Sequence, residues 1–176
     1  MIRVVETTPD KACALTNLMY VSPNDELVAI GFTEVSSYVF KVAAHPQISD
    51  GAIGMGSVQR KMLRVAVRDD LELTPFSIGS PGSPGDATLI YCEVCNFTDK
   101  PSRQKLDAAE LSAHLIAMFK GQIFGIEQQL AFEHEGLTYR MEVRNVVCIS
   151  DSVLRGYMRE NTGIVFTNAA SNPVKI

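Results

Sequence analysis

No apolar run in this chain approaches the roughly 18–20 residues that a membrane-spanning helix needs, so direct membrane insertion is not expected. The first residues, MIRVVETTPDK, lack an apolar h-region, which predicts no secretory signal. There is no G-x-x-x-x-G-K-[ST] loop to cradle a nucleotide and no G-x-S-x-G nucleophile elbow. Gly51, Gly54 and Gly56 do not form G-x-G-x-x-G, and no βαβ pattern surrounds them; they read as sites of backbone crossing with positive φ. Tryptophan is absent, so tyrosine dominates the near-ultraviolet absorbance. Positive charge is scarce as well. The formal net charge is -4, against the basic balance of most nucleic-acid binders.

What is present is a globular composition, with 46% hydrophobic and 20% charged residues, long enough for one large domain or two small ones. Four cysteines without an export signal predict free thiols in a reducing cytosol. Cys92-Glu93-Val94-Cys95 is a C-x-x-C, but it lies inside a strand pattern, where residues three apart point to opposite faces and cannot share one metal ion. Cys13 and Cys148 read as small buried hydrophobes. None of His45, His114 and His134 has a partner at metal-binding spacing, and His114 borders an apolar helical stripe.

Residues 77–86, SIGSPGSPGD, hold three glycines and two prolines and form the clearest boundary. Before it, short β-rich runs at 26–30 and 38–42, an alternation over 63–67 and the pair Leu71 and Leu73 predict a small barrel or sandwich. Residues 57–62 predict a short helix with Ser57 as N-cap. After it, residues 87–97 read as a strand. Residues 107–120 read as a helix with Asp107 and Glu110 at its start and Leu111, Leu115, Met118 and Phe119 on one face, and Gly121 is placed to stop it. A hairpin over 129–143 turns at His134-Glu135-Gly136, and 163–167 reads as a last strand.

The cations are concentrated. Arg60, Lys61, Arg64 and Arg68 lie within nine positions, and Lys100, Arg103 and Lys105 precede the helix. Such clusters present a positive patch to an acidic partner, or are simply a solvated surface.

Residues 51–61, GAIGMGSVQRK, and 122–130, QIFGIEQQL, taken in this order and at this distance, resemble the amino-terminal domain of N-ethylmaleimide-sensitive factor, a family of hexameric ATPases that disassemble SNARE complexes. The resemblance runs over positions 15–165. Leu15-Thr16-Asn17 is similar to the family's opening strand, and His45-Pro46 with Gly51-Ala52-Ile53 to its central loop. Gln59-Arg60-Lys61 is similar to its basic triplet. Phe119, Gln122, Phe124 and Gln128-Gln129-Leu130 are similar to its helix-to-strand segment.

The resemblance implies a mixed β and α/β fold: a double-psi β-barrel lobe over 1–77, a linker over 78–86 and a small α/β lobe over 87–176. It implies an adaptor-binding domain without catalysis of its own, whose groove and basic rim receive the acidic end of the soluble attachment protein on SNARE complexes. ATP and Mg belong to absent ATPase modules. The isolated domain would be a monomer and the full-length protein a hexamer, cytoplasmic and peripheral to membranes through its partners. The implied partner-binding residues are Arg60, Lys61, Arg64, Lys100, Arg103 and Lys105. Departures from the family pattern are Asp99 beside Lys100, Thr7 at a basic position with Arg3 and Lys11 nearby, and Arg68 at a glycine turn, where a left-handed conformation costs about 1–2 kcal/mol. The alternative is the related domain of valosin-containing protein, which docks ubiquitin-pathway cofactors. Enzymes also use double-psi barrels, but the self-processing serine or pterin-binding constellation that they need is not found.

Overall fold

The computed structural model describes residues 1–79, 83–98, 104–149 and 154–176. The chain divides into two compact units, Met1–Ser83 and Pro84–Ile176. The division falls inside the glycine- and proline-rich stretch, and each β-sheet lies within one unit.

The first unit contains, in chain order, β1 (Ile2–Thr7), α1 (Lys11–Ala14), β2 (Met19–Val21), α2 (Leu27–Ile30), β3 (Phe32–Val35), β4 (Tyr38–Ala44), β5 (Ala52–Met55), α3 (Ser57–Leu63), β6 (Asp70–Glu72) and β7 (Thr74–Pro75). Its strands form one curled, barrel-like sheet in the order β6-β1-β5-β2-β4-β3-β7. Two pairs, β1 with β5 and β2 with β4, are parallel. Val5, Met19, Val21, Leu27, Phe40, Ile53, Met55 and Leu73 fill its interior. Full burial of such a side chain contributes about 1.5–3 kcal/mol.

Four readings of this half are corrected. The run at 26–30 is the helix α2, not a strand: the Leu27 N–H donates to Asp25 Oδ1 (2.9 Å), and Gly31 ends the helix at φ 87°. The alternation over 63–67 is the end of α3 followed by a turn. Arg64 closes the helix in the left-handed region at φ 57°, and Asp69 Oδ2 accepts the Ala66 N–H (2.7 Å). Ser57 is the first helical residue; the N-cap is Gly56, at φ -68°, so it is not a positive-φ glycine. Finally, Leu15-Thr16-Asn17 is the turn after α1, and the opening strand is β1.

Arg68 stands at φ 77° in the turn 66–69, where the Asp69 N–H donates to Ala66 O (3.1 Å) and the Arg68 N–H to Val5 O (2.8 Å). Relief of left-handed strain is worth about 1–2 kcal/mol, and glycine's extra freedom in the unfolded chain takes back about 0.4–1 kcal/mol. Arg68→Gly is therefore expected to stabilise the chain by about 0.5–1 kcal/mol in urea unfolding. A loss of stability would show that the side chain, which is exposed, makes a contact the turn needs.

The second unit contains β8 (Ala87–Asn96), α4 (Ala108–Phe119), β9 (Ile123–Gly125), β10 (Gln129–His134), β11 (Leu137–Cys148), β12 (Arg155–Tyr157) and β13 (Gly163–Thr167). One sheet runs β10-β11-β8-β13, with β13 parallel to β8, and a second pairs β9 with β12. Asp107 caps α4 by accepting the N–H groups of Ala109 and Glu110 (both 2.9 Å), and Lys120 is the C-cap. Leu111, Leu115 and Phe119 are buried with Ile90, Cys92, Phe124, Phe132 and Tyr139, and Met118 packs at their edge. The hairpin turns on Glu135 and Gly136, both at positive φ, with His134 paired to Leu137. This two-residue form matches the twist of the strands it joins.

Candidate functional site

The glycine-rich segment builds a scaffold before it offers a surface. Gly51 turns at φ 77° into β5. At Gly54, an added Cβ would stand 2.6 Å from Ile48 Cδ1 and 3.2 Å from Thr7 O, so a side chain here would displace Ile48 and press on the β1 backbone. Gln59 then turns inward and is buried. The Gly56 N–H donates to Gln59 Oε1 (2.9 Å), and Gln59 Nε2 donates to Asn17 O (3.1 Å) and Leu18 O (3.3 Å). The first letter of the Gln59-Arg60-Lys61 triplet thus ties the start of α3 to the turn before β2.

Arg60 is half-buried, and its guanidinium donates to the Met55 carbonyl at the end of β5. Its charge is therefore partly committed to the backbone and does not stand free beside Lys61. Lys61 and Arg64 are exposed, and neither meets a carboxylate among the described residues; Arg68 follows them in the adjoining turn. Of the basic residues near the N-terminus, Lys11 is exposed, whereas Arg3 is held by Asp25 at 2.7 and 3.2 Å.

In the second unit Lys105 is exposed and bridges in parallel register to Lys175, a residue that the sequence reading did not single out. Lys100 and Arg103 lie outside the described residues. Other cations here are committed locally: Lys120 to Glu160 (2.9 Å), Arg144 to Glu93 (3.0 Å) and Glu142 (2.9 Å), and Arg159 to Asp86 (2.7 Å) while it stacks over the Tyr157 ring.

The QQL segment mirrors Gln59. Gln128 is fully buried, and its Oε1 accepts the Gly125 N–H (2.9 Å), closing the turn between β9 and β10. His114 and His134, far apart in sequence, have ring centroids 4.7 Å apart, with His114 Nε2 on Glu133 O (2.6 Å). Cys92 faces the core, and burial pushes its thiol up to about 12; Cys95 lies on the opposite face of β8 with its Sγ near Arg140 O (3.7 Å). All four cysteines are free thiols. Among the described residues no helix is long and apolar enough to cross a membrane.

A barrel-like strand-rich unit followed by an α/β unit, each bearing exposed cations that meet no carboxylate among the described residues, defines a two-part domain of mixed β and α/β class. No family model matches the chain. Over 100% of its length it is similar to a vesicle-fusing ATPase of Arabidopsis thaliana, with 26% identity over 190 residues. Over 82% and 74% of its length it is similar, again at 26% identity, to the vesicular-fusion protein SEC18 of Saccharomyces cerevisiae and to a vesicle-fusing ATPase of Caenorhabditis elegans. These matches bear out the resemblance to the N-ethylmaleimide-sensitive factor family and extend it beyond positions 15–165. The chain spans 25%, 19% and 16% of these relatives, so it corresponds to one part of much longer proteins.

Proposed function

We propose that this chain is the adaptor-binding amino-terminal domain of a SNARE-disassembling AAA ATPase. The observation that carries the reading is similarity, over 74% to 100% of the chain, to vesicle-fusing proteins of which it spans a quarter or less. The parallel pairs within the curled sheet support the double-psi form of the barrel. In this reading the domain holds the soluble attachment protein on SNARE complexes. ATP and Mg act in modules outside the chain, which is itself non-catalytic, and the assembled protein is a cytoplasmic hexamer that reaches membranes through its partners.

The contacts are cationic. Lys61, Arg64 and Lys105 are exposed and meet no carboxylate among the described residues, while Lys100 and Arg103 join them on the strength of the resemblance. Arg60 serves the fold through Met55 and contributes its charge from a half-buried position. Exposed ion pairs are worth about 0–1 kcal/mol each, so binding is multivalent and salt-sensitive.

The test is Lys61→Glu/Lys105→Glu, which avoids the structural bond of Arg60. Turning two attractions into repulsions is expected to weaken binding to the cognate attachment protein on SNAREs by about tenfold, or about 1.4 kcal/mol, with an unchanged unfolding midpoint. Equal affinity and equal salt response in variant and wild type would remove these residues from the site.

A further inference from the structure

The strongest unassigned feature is the pairing of two lysines that lie 70 positions apart. The segment before α4 and the segment after β13 run side by side: Lys105 and Lys175 are bridge partners in parallel register, and the Leu106 N–H donates to Lys175 O (2.8 Å). The second segment is itself anchored. Pro173 bridges to Cys95, and the Asn96 N–H donates to Asn172 O (3.1 Å). Leu106 and Val174, the sequence neighbours of the two lysines, are buried in the core of the unit, whereas Lys105 and Lys175 are exposed. Extended backbone alternates sides, so the two lysines share the outer face, with backbones about 4.8 Å apart.

Like charges placed directly opposite one another destabilise the pairing, and neither ammonium meets a carboxylate among the described residues. Asp107 is close in sequence and caps α4 through its Oδ1, but no ion pair joins it to either lysine. The fold therefore holds two cations together without an ion pair to either of them among the described residues.

We propose that Lys175 is a cationic anchor paired with Lys105, and that the two together take neighbouring carboxylates of an acidic polypeptide segment. The proposal rests on the adaptor-binding reading above and adds a residue to it. An acidic polypeptide fits better than an anionic bilayer because Asp107 and Glu110, exposed at the start of α4, follow Lys105 closely in sequence. A flat sheet of headgroups would meet those carboxylates as well, whereas a flexible chain can place its acidic groups on the lysines alone.

The experiment measures Lys105→Ala, Lys175→Ala and the double variant of the 176-residue chain for binding to the attachment protein on SNAREs at low salt. Thermal unfolding and binding to phosphatidylserine vesicles are followed in parallel. Each single variant is expected to weaken protein binding by about threefold. The double variant is expected to bind more weakly than either single one but less weakly than the product of the two effects, because the lysines share a ligand. The unfolding midpoint is expected to stay level or rise as repulsion is removed. Wild-type binding by Lys175→Ala beside weakened Lys105→Ala would overturn the role of Lys175 and leave the adaptor reading standing. Absence of any effect in all three variants and in Lys61→Glu/Lys105→Glu would defeat the adaptor reading itself. A lowered midpoint that accounts for the lost binding would make Lys175 structural. Loss of vesicle binding alone would assign the pair to a membrane. Each of these last two also overturns the proposal.

Discussion

Replacing Gln59 with methionine is expected to destabilise the chain by about 3 kcal/mol. Methionine keeps the length and apolar bulk of the side chain, so the loss is one of hydrogen bonds rather than packing. The substitution strands the Gly56 N–H and deprives the Asn17 and Leu18 carbonyls of the Gln59 amide, the first two at buried positions and the third at a half-buried one. An unsatisfied buried group costs about 1–3 kcal/mol, and partial relaxation brings three such losses to the lower part of their sum. Urea unfolding with an unchanged slope is the measurement, and Gln47→Met, at an exposed position, is the control expected within about 0.5 kcal/mol of wild type. A loss below about 1 kcal/mol would mean that Gln59 is retained for its surface and not for these bonds.

Arg3→Met is expected to cost a similar amount, about 3 kcal/mol, by a different route. The Asp25 side chain is only 3% exposed and faces the Arg3 guanidinium through two hydrogen bonds. Removing one member of a buried pair leaves the other charge uncompensated. Burial works to raise the Asp25 pKa, but the bonds from Arg3 and the Leu27 amide outweigh it and hold the carboxyl below its ordinary value. A carboxyl depressed in this way stabilises the fold above its unfolded pKa, about 3.9. That contribution is lost as pH falls through the still lower folded value. Without Arg3, only the Leu27 amide opposes burial, so the carboxyl of Asp25 rises and its protonation costs the fold less than in wild type. The stability gap between wild type and variant is therefore expected to narrow from pH 7 to pH 4. A gap that is constant with pH would show that Arg3 acts by packing and not by its charge.

The parts of the fold that are legible in the sequence are those whose signals are local. Helix α4 carries its own cap at Asp107, its own apolar stripe and a stop at Gly121, and the hairpin carries Gly136 at the position that requires positive φ. Residues 26–30 and 63–67 mislead because a single helical turn and a capped turn place apolar side chains inward with the same short spacing as a strand. What decides between them is Asp25 accepting the Leu27 N–H and Arg64 adopting a left-handed backbone, and neither is visible as a pattern. The site divides in the same way. The cluster at 60–68 is contiguous and therefore visible, but the commitment of Arg60 to Met55 depends on β5 and α3 folding back on each other. The bridge from Lys105 to Lys175 depends on two segments from opposite ends of the second unit coming together outside its sheets. Gln59 and Gln128 stood out as motif residues, and the structure gives them the same task of capping a turn with a buried side-chain amide.

The central claim, that this domain grips an acidic adaptor through scattered lysines and arginines, is tested most directly by equilibrium binding of the 176-residue chain to the cognate attachment protein on SNAREs across a salt series. Saturable binding at low salt is expected, weakening steadily as the Debye length contracts to about 8 Å at physiological ionic strength. The salt response is expected to be shallower in the Lys61→Glu/Lys105→Glu variant. No binding at low salt, or binding indifferent both to salt and to charge reversal, would contradict it.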